Sequence, residues 1–489
     1  MAVESLKEKT ATGLFWSGIN NGVQQLLGLA FGILLARLLS PGDYGMVGML
    51  SIFTAMAALL QDSGFTIALI NKKKITDNDY NAVFWFSLSM GCLLYVVLFF
   101  SAPLIARFFH NEELIPIARV LFLWFLIGST ATVHNAFLIR NLKIKEKAKA
   151  EITALLVSSS VGVTLAWMGF AYWSIIIQTV IHGSVGTLMR WRYSTWRPSL
   201  TIDFSPLKEM FPFSVKLLIT GIFTTINGNL FNILLGRLHT KREVGYFSQG
   251  SKWIMMGYSF VWNMVNNVSQ PVLASVSEDA QRQSLVFRKM IRFVAFVAFP
   301  SILGLGFVSR ELIVIAVSDK WLPSVEIMQI YCIWGAIMPI CNLYSNLIIS
   351  RGKSEIYMYS TIALGLLQLL VVFLTLQYGL QMMLLAYVSL NVAWLFVWHH
   401  LVARLLPISL WVMLTHDLLP FLGVTLIALG GAYLATQSIE NIYLLFVGKI
   451  GITAAIYLFI MRITKAVVLR EGLDFLSKRM RGNKKGKGL

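Results

Sequence analysis

Residues 33–45 read ILLARLLSPGDYG, and residues 233–245 read ILLGRLHTKREVG. The two align without a gap at a constant offset of 200. Ile33, Leu34, Leu35, Arg37, Leu38 and Gly45 match Ile233, Leu234, Leu235, Arg237, Leu238 and Gly245. In each copy an apolar run ends at an arginine, and a short polar segment then opens a second apolar run. Ser40-x-x-Asp43 and Thr240-x-x-Glu243 are capping-box patterns, in which a hydroxyl and a carboxylate close reciprocally on the backbone at a helix start. Pro41 falls at the first helical position, where its missing N–H costs nothing. A capped hairpin between two helices accounts for both copies, so Arg37 and Arg237 are read as structural before any role with substrate.

Outward from these hairpins the chain is a succession of apolar stretches of about 20 residues, the length that crosses a hydrocarbon core. Of its 489 residues 57% are hydrophobic and 13% charged, about half the charge of a soluble domain. Spans are expected at 14–36, 44–70, 82–107, 114–139, 152–170 and 172–189. The second half adds 212–236, 244–273, 287–316, 324–350, 356–378, 381–403, 413–435 and 441–461. The fold class is thus all-α integral membrane, with about fourteen transmembrane helices. The first stretch carries Asn and Gln and has no small-residue cleavage site after it, which marks a permanent span rather than a signal peptide.

With the N-terminus inside, about 30 of the 41 Lys and Arg fall in cytoplasmic segments, so both termini are expected in the cytoplasm. The net charge of +18 is this topology bias, and no nucleic acid is implied. The tail, 464–489, mixes apolar residues with Arg470, Lys478, Arg479 and Arg481 and is expected to lie on anionic membrane lipids. Cys92, Cys332 and Cys341 lie in apolar stretches, with neither metal spacing nor a disulfide framework.

The repeated hairpins lie six spans apart, and an even separation gives both halves the same orientation. Parallel repeats of this kind are one of the standard transporter plans. The expected organisation is a six-helix lobe (1–190), a cytoplasmic linker (191–211), a second six-helix lobe (212–404), two extra helices (405–463) and the basic tail. A fainter echo joins Asn135…Arg140 to Asn346…Arg351.

Polar groups inside spans face a bundle interior or a water-filled cavity. The first span carries Asn20, Asn21 and Gln24; the seventh Lys216, Thr220, Thr224 and Asn227, then Asn229 and Asn232. In the eighth, Lys252, Ser259, Asn263, Asn266 and Gln270 form one helical stripe. Interhelical hydrogen bonding explains any one of these, whereas the three spans together point to a shared hydrophilic cavity. Amides and hydroxyls suit sugar hydroxyls, and Lys216 and Lys252 lie deep enough to meet a phosphate. Asp62 is the coupling candidate, or else packs near Gly64. Asn342 and Asn346, His134, and the pair His399 and His400 are further polar positions.

The polar first span followed by LLARLLSPGDYG (34–45) and LLQDSGFTIALI (59–70) resembles the polysaccharide flippases of the multidrug/oligosaccharidyl-lipid/polysaccharide exporter superfamily, the lipopolysaccharide-biosynthesis and O-antigen type above all. The resemblance extends over essentially the whole chain. It implies an inner-membrane protein, with two lobes forming a V-shaped bundle around a cationic cavity. It implies flipping of undecaprenyl-diphosphate-linked oligosaccharide to the periplasmic leaflet by alternating access, alongside polysaccharide polymerase machinery and without a cofactor. The chain lacks the cavity arginines associated with the lipid II flippase branch. A drug/cation antiporter of the same superfamily is the alternative. A membrane enzyme is disfavoured, because the outer loops are too short for a catalytic domain and no nucleophile–base set or metal cluster is legible.

Overall fold

A computed structural model describes residues 6–62, 65–72, 74–200, 202–466 and 468–470. The described residues form helices and short connections. The helices are α1 Leu6–Leu38, α2 Pro41–Asp62, α3 Phe65–Asn71, α4 Asp77–Phe108, α5 Leu114–Leu121, α6 Leu123–Ser129, α7 Thr132–Arg140, α8 Ile144–Trp167, α9 Trp173–Tyr193 and α10 Ser205–Leu238. They continue as α11 Lys241–Ser275, α12 Ala280–Ala298, α13 Gly304–Phe307, α14 Ser309–Val317, α15 Pro323–Ser350, α16 Ser354–Thr375, α17 Gly379–Ala403, α18 Leu410–Val412, α19 Leu419–Thr436 and α20 Ile442–Ile463. Among the described residues, nine helical stretches are long and apolar enough to cross a membrane. One of these, Glu355–Ala403, is 49 residues long and holds both α16 and α17. This is a multi-pass membrane protein. Helices α9, α10 and α11 fill three more of the sequence-derived spans but are not among the nine.

Two spans expected as regular single helices depart from that form among the described residues. The fourth is bent by 45° between Leu114–Ser129 and Thr132–Arg140. The ninth passes through a π-helical turn, Phe299–Leu303. Pro300 there has no N–H to give, and the wider turn absorbs the missing bond.

The chain divides into two compact units, Met1–Ser248 and Gln249–Leu489. In the first, α8 packs along α9 through a face of Ala148, Ala154, Ser158, Ser159, Gly162 and Ala166, and α1 lies against α8. Small residues bring the backbones close, which is how helices associate without a hydrophobic driving force. The turn from α8 to α9 is as tight as the sequence suggests: Gly169 takes φ +86° and Ala171 φ +44°. Helix α10 packs antiparallel to α2, with Leu59 filling the space over Gly221 and Met49 that over Gly236. An aromatic cluster of Phe65, Tyr80, Phe84 and Trp196 binds α3, α4 and α7. Buried His134 packs there against the tilted rings of Trp191 and Trp196, with centroids 4.3 and 5.4 Å away.

In the second unit α15 is the central helix, buried along most of its length. Three ion pairs tie the last part of the chain to α12 and α14. Fully buried Asp417 receives Arg288 (2.7 and 3.1 Å) and Arg292 (2.5 Å) from α12. Lys449 of α20 meets Glu311 of α14 at 2.7 Å.

The faint echo has a structural meaning. Arg140 donates to the carbonyls of Leu69 and Ile70, 2.8 and 2.7 Å away, at the end of α3. Arg351 donates to the Leu405 carbonyl (3.0 Å) and to Gln283 Oε1 (2.7 Å), and Gln283 in turn donates to the Leu273 carbonyl. Each arginine thus ties off carbonyls left over at helix ends.

Candidate functional site

Both capping boxes form. The Ser40 N–H and hydroxyl donate to Asp43 Oδ2 at 2.8 and 2.6 Å, and the Asp43 N–H returns to the Ser40 hydroxyl at 3.3 Å. Thr240 and Glu243 repeat this at 2.9, 3.0 and 3.4 Å. Asp43 also accepts from the Tyr172 N–H at 3.1 Å, which fixes the α8–α9 turn to this hairpin. The repeated arginines have structural surroundings: Arg237 lies over the Phe108 ring at 5.5 Å, and Arg37 ends α1.

The two motif copies also meet each other. A Cβ built on Gly45 falls 1.7 Å from the Lys241 carbonyl oxygen, and one on Gly245 falls 1.9 Å from that of Pro41. Each glycine is therefore the floor on which the other copy's helix start rests. One turn along, Gly48 faces Ser248 and Val244, where a Cβ would come within 2.9 Å of both.

Below this seam lies a polar network. The Ser51 hydroxyl is 2.8 Å from Asn229 Oδ1 and accepts from Asn232 Nδ2 at 3.1 Å; Ser248 reaches Asn232 Oδ1 at 3.4 Å. Ser51 also borders a cavity of about 340 Å³ with Thr54, Trp124 and Thr179. Asn227 is half-buried on the same helix.

The second polar set is on α1, α8 and α9. Asn20 Nδ2 and Gln24 Nε2 donate to Glu151 Oε2 at 2.7 and 3.0 Å. Glu151 Oε1 faces Lys147 Nζ at 2.5 Å and an Arg190 nitrogen at 3.9 Å. Further along the α8–α9 seam follow Ser158 with His182 (3.4 Å) and Gln178 with Ser159 (3.2 Å). Asn21 is exposed on α1. The sequence reading assigned Lys147 and Arg190 to topology and passed over Glu151. The Lys147–Glu151 spacing of one helical turn was the available signal, whereas Arg190 and Asn20 join only through tertiary packing.

In the second unit Lys252 and Asn263 are exposed on α11. Asn342 donates to the Tyr258 hydroxyl and Asn346 to that of Ser269, both at 2.8 Å. His399 Nδ1 lies 3.2 Å from the buried Tyr344 hydroxyl. The side chains of Asp62, Lys216, Asn266 and Gln270 lie outside the described residues, although their backbones are helical. No group of three His, Cys, Asp or Glu could hold a metal ion among the described residues.

Both repeated hairpins and the Ser51–Asn229–Asn232 network fall within a match to a known family. A family model described as "Polysaccharide biosynthesis protein" matches residues 34–326. The teichuronic acid biosynthesis protein TuaB of Bacillus subtilis is 24% identical over 478 residues, covering 96% of this chain and 99% of that one. The lipopolysaccharide biosynthesis protein WzxC of Escherichia coli is 23% identical, covering 72% of each chain. Among solved structures, the inward closed conformation of the lipid II flippase MurJ aligns with a TM-score of 0.77 at 17% identity, over 93% of this chain and 100% of that one. An inward-facing multidrug resistance MATE family transporter of the MOP superfamily gives a TM-score of 0.61 at 14% identity, over 78% and 95%. At these identities the structures share the fold.

Proposed function

Because this chain belongs to the polysaccharide biosynthesis protein family, we propose that it is a flippase for lipid-linked glycans. Its cargo in this reading is an undecaprenyl-diphosphate-linked oligosaccharide, moved from the cytoplasmic to the periplasmic leaflet of the bacterial inner membrane for surface polysaccharide synthesis. The observation that carries the proposal is the pair of polar networks set among apolar helices of the first unit. Asn20, Gln24 and Glu151 form one, Ser51, Asn229 and Asn232 the other. A sugar headgroup cannot shed its water into hydrocarbon without replacement hydrogen bonds. Amides and hydroxyls supply them, while the lipid tail stays in the bilayer.

The transport cycle is alternating access, with residues 1–190 rocking against 212–404. Lys216 or Lys252 binds the diphosphate, and Asn21, Asn227, Asn263, Asn266 and Gln270 extend the sugar path. Asp62 is the residue through which an ion would couple. Both termini lie in the cytoplasm, the basic tail rests on anionic lipid, and the product passes to polysaccharide polymerase machinery. The chain works as a transporter and carries out no covalent chemistry.

The test is a deletion strain that lacks any redundant flippase, with the sidedness of lipid-linked intermediates probed by an impermeant reagent. Cytoplasmic accumulation with loss of surface glycan is expected, and Lys216→Ala with Lys252→Ala should reproduce it. Intermediates that still reach the outer face would refute the proposal.

A further inference from the structure

Four donor groups from three helices converge on the single carboxylate of Glu151. Two are amide NH2 groups, on Asn20 and Gln24; two are cations, Lys147 and Arg190. With two cations and one carboxylate, the cluster keeps a surplus positive charge. It is also under-filled, because the buried Arg190 Nε makes no hydrogen bond. Helix α9 makes room for the guanidinium at Gly186, where a Cβ would lie 3.3 Å from Arg190 Nη1. The cluster is not sealed: the side chains of Lys147, Arg190 and Glu151 are 23%, 24% and 17% exposed. It lies at the start of α8 and the end of α9, the ends assigned to the cytoplasmic side.

A guanidinium, an ammonium and two amides aimed at one point are the donor set of a phosphate site, since phosphate oxygens only accept and carry more charge than a carboxylate. We propose that this cluster is a diphosphate subsite at which the headgroup of the lipid-linked glycan displaces Glu151 when it enters. The inference rests on the flippase reading and adds an entry station to it. Glu151 is a tethered competitor: held beside its donors, it re-enters whenever the headgroup departs, which limits affinity and favours onward release.

The test uses the purified full-length chain and a short polyprenyl diphosphate without sugar, with affinity read by titration. Arg190→Gln and Lys147→Gln should each weaken binding about tenfold or more, as expected for loss of a charge-assisted hydrogen bond. Glu151→Gln should tighten it by a similar factor. An affinity that rises in one variant and falls in the others is not produced by misfolding. Unchanged affinity in the Arg190 and Lys147 variants, or no tightening in Glu151→Gln, overturns the subsite and leaves the flippase reading in place. If the wild-type protein does not bind the polyprenyl diphosphate, both fail. If inorganic diphosphate binds as tightly as the lipid, the ligand is a free anion and the lipid assignment is overturned.

Discussion

Alanine at Gly45 places a methyl carbon 1.7 Å from the Lys241 carbonyl oxygen. A close carbon–oxygen contact is about 3.3 Å at its shortest, so the two helix starts must part by about 1.6 Å. The obstacle is backbone. Lys241 opens α11, and its carbonyl is held in the first turn of that helix. It cannot swing aside as a side chain would. Overpacking of this kind costs about 1–3 kcal/mol, and the immobile partner argues for the upper end. Against this, alanine gains about 0.5–1 kcal/mol over glycine within a helix. A net loss near 2 kcal/mol lowers the melting temperature of a unit of this size by about 4–8 °C. Gly245→Ala, facing the Pro41 carbonyl at 1.9 Å, should lose as much. The control is Gly28→Ala on α1, where a Cβ meets nothing within 4 Å and only the helix gain remains. Thermal unfolding of the three purified variants reads the result. If Gly45→Ala and Gly245→Ala melt with Gly28→Ala, the two copies do not rest on each other and the seam is wrong.

Other predictions follow from the ion pairs and the linker. Asp417→Asn leaves Arg288 and Arg292 facing a neutral group in a site where Asp417 is fully buried, and should cost about 3–5 kcal/mol. Arg292→Gln, whose side chain is 35% exposed, should cost much less; the reverse order of melting temperatures would contradict this account. Lys449→Met and Glu311→Gln should each destabilise, yet the double variant should lose less than their sum, with a coupling of about 1–3 kcal/mol. Simple additivity in the melts would show that the pair does not act together. The Asp203 carboxyl is pulled down to about 2 by the Ser205 hydroxyl and N–H and the Asn78 amide. A depressed carboxyl stabilises above its unfolded pKa, and that contribution fades as pH falls through the folded value. The melting difference between wild type and Asp203→Asn should therefore be steady above about pH 5 and narrow between about pH 4 and 2; a constant difference would contradict it.

Much of this molecule was legible in local sequence. The capping boxes at Ser40 and Thr240 were readable because their chemistry is complete within four residues, and the hydrogen bonds form as expected. The expected spans 152–170 and 172–189 leave almost no loop between them, and the α8–α9 turn is correspondingly tight. What local pattern could not supply was partnership. Gly45 and Gly245 were visible as matched letters, but nothing in either copy says that each lies under the other's backbone. Asn20 and Gln24 were legible as polar positions of the first span, but their partner Glu151 lies more than a hundred residues away. The break in the fourth span escaped because helix periodicity persists through Thr130 and Ala131 while the axis turns. The sequence-derived spans give about fourteen crossings, a count that rests on the sequence.

The reciprocal seating of Gly45 and Gly245 also shapes what a suppressor screen could recover. Most packing defects are repaired when a neighbouring side chain is exchanged for a smaller one. Here the neighbour is a carbonyl oxygen on Lys241 or Pro41, and no codon change removes a carbonyl. A strain carrying alanine at either position has reversion open to it, or a change that shifts a whole helix, and no single compensating allele at the point of contact.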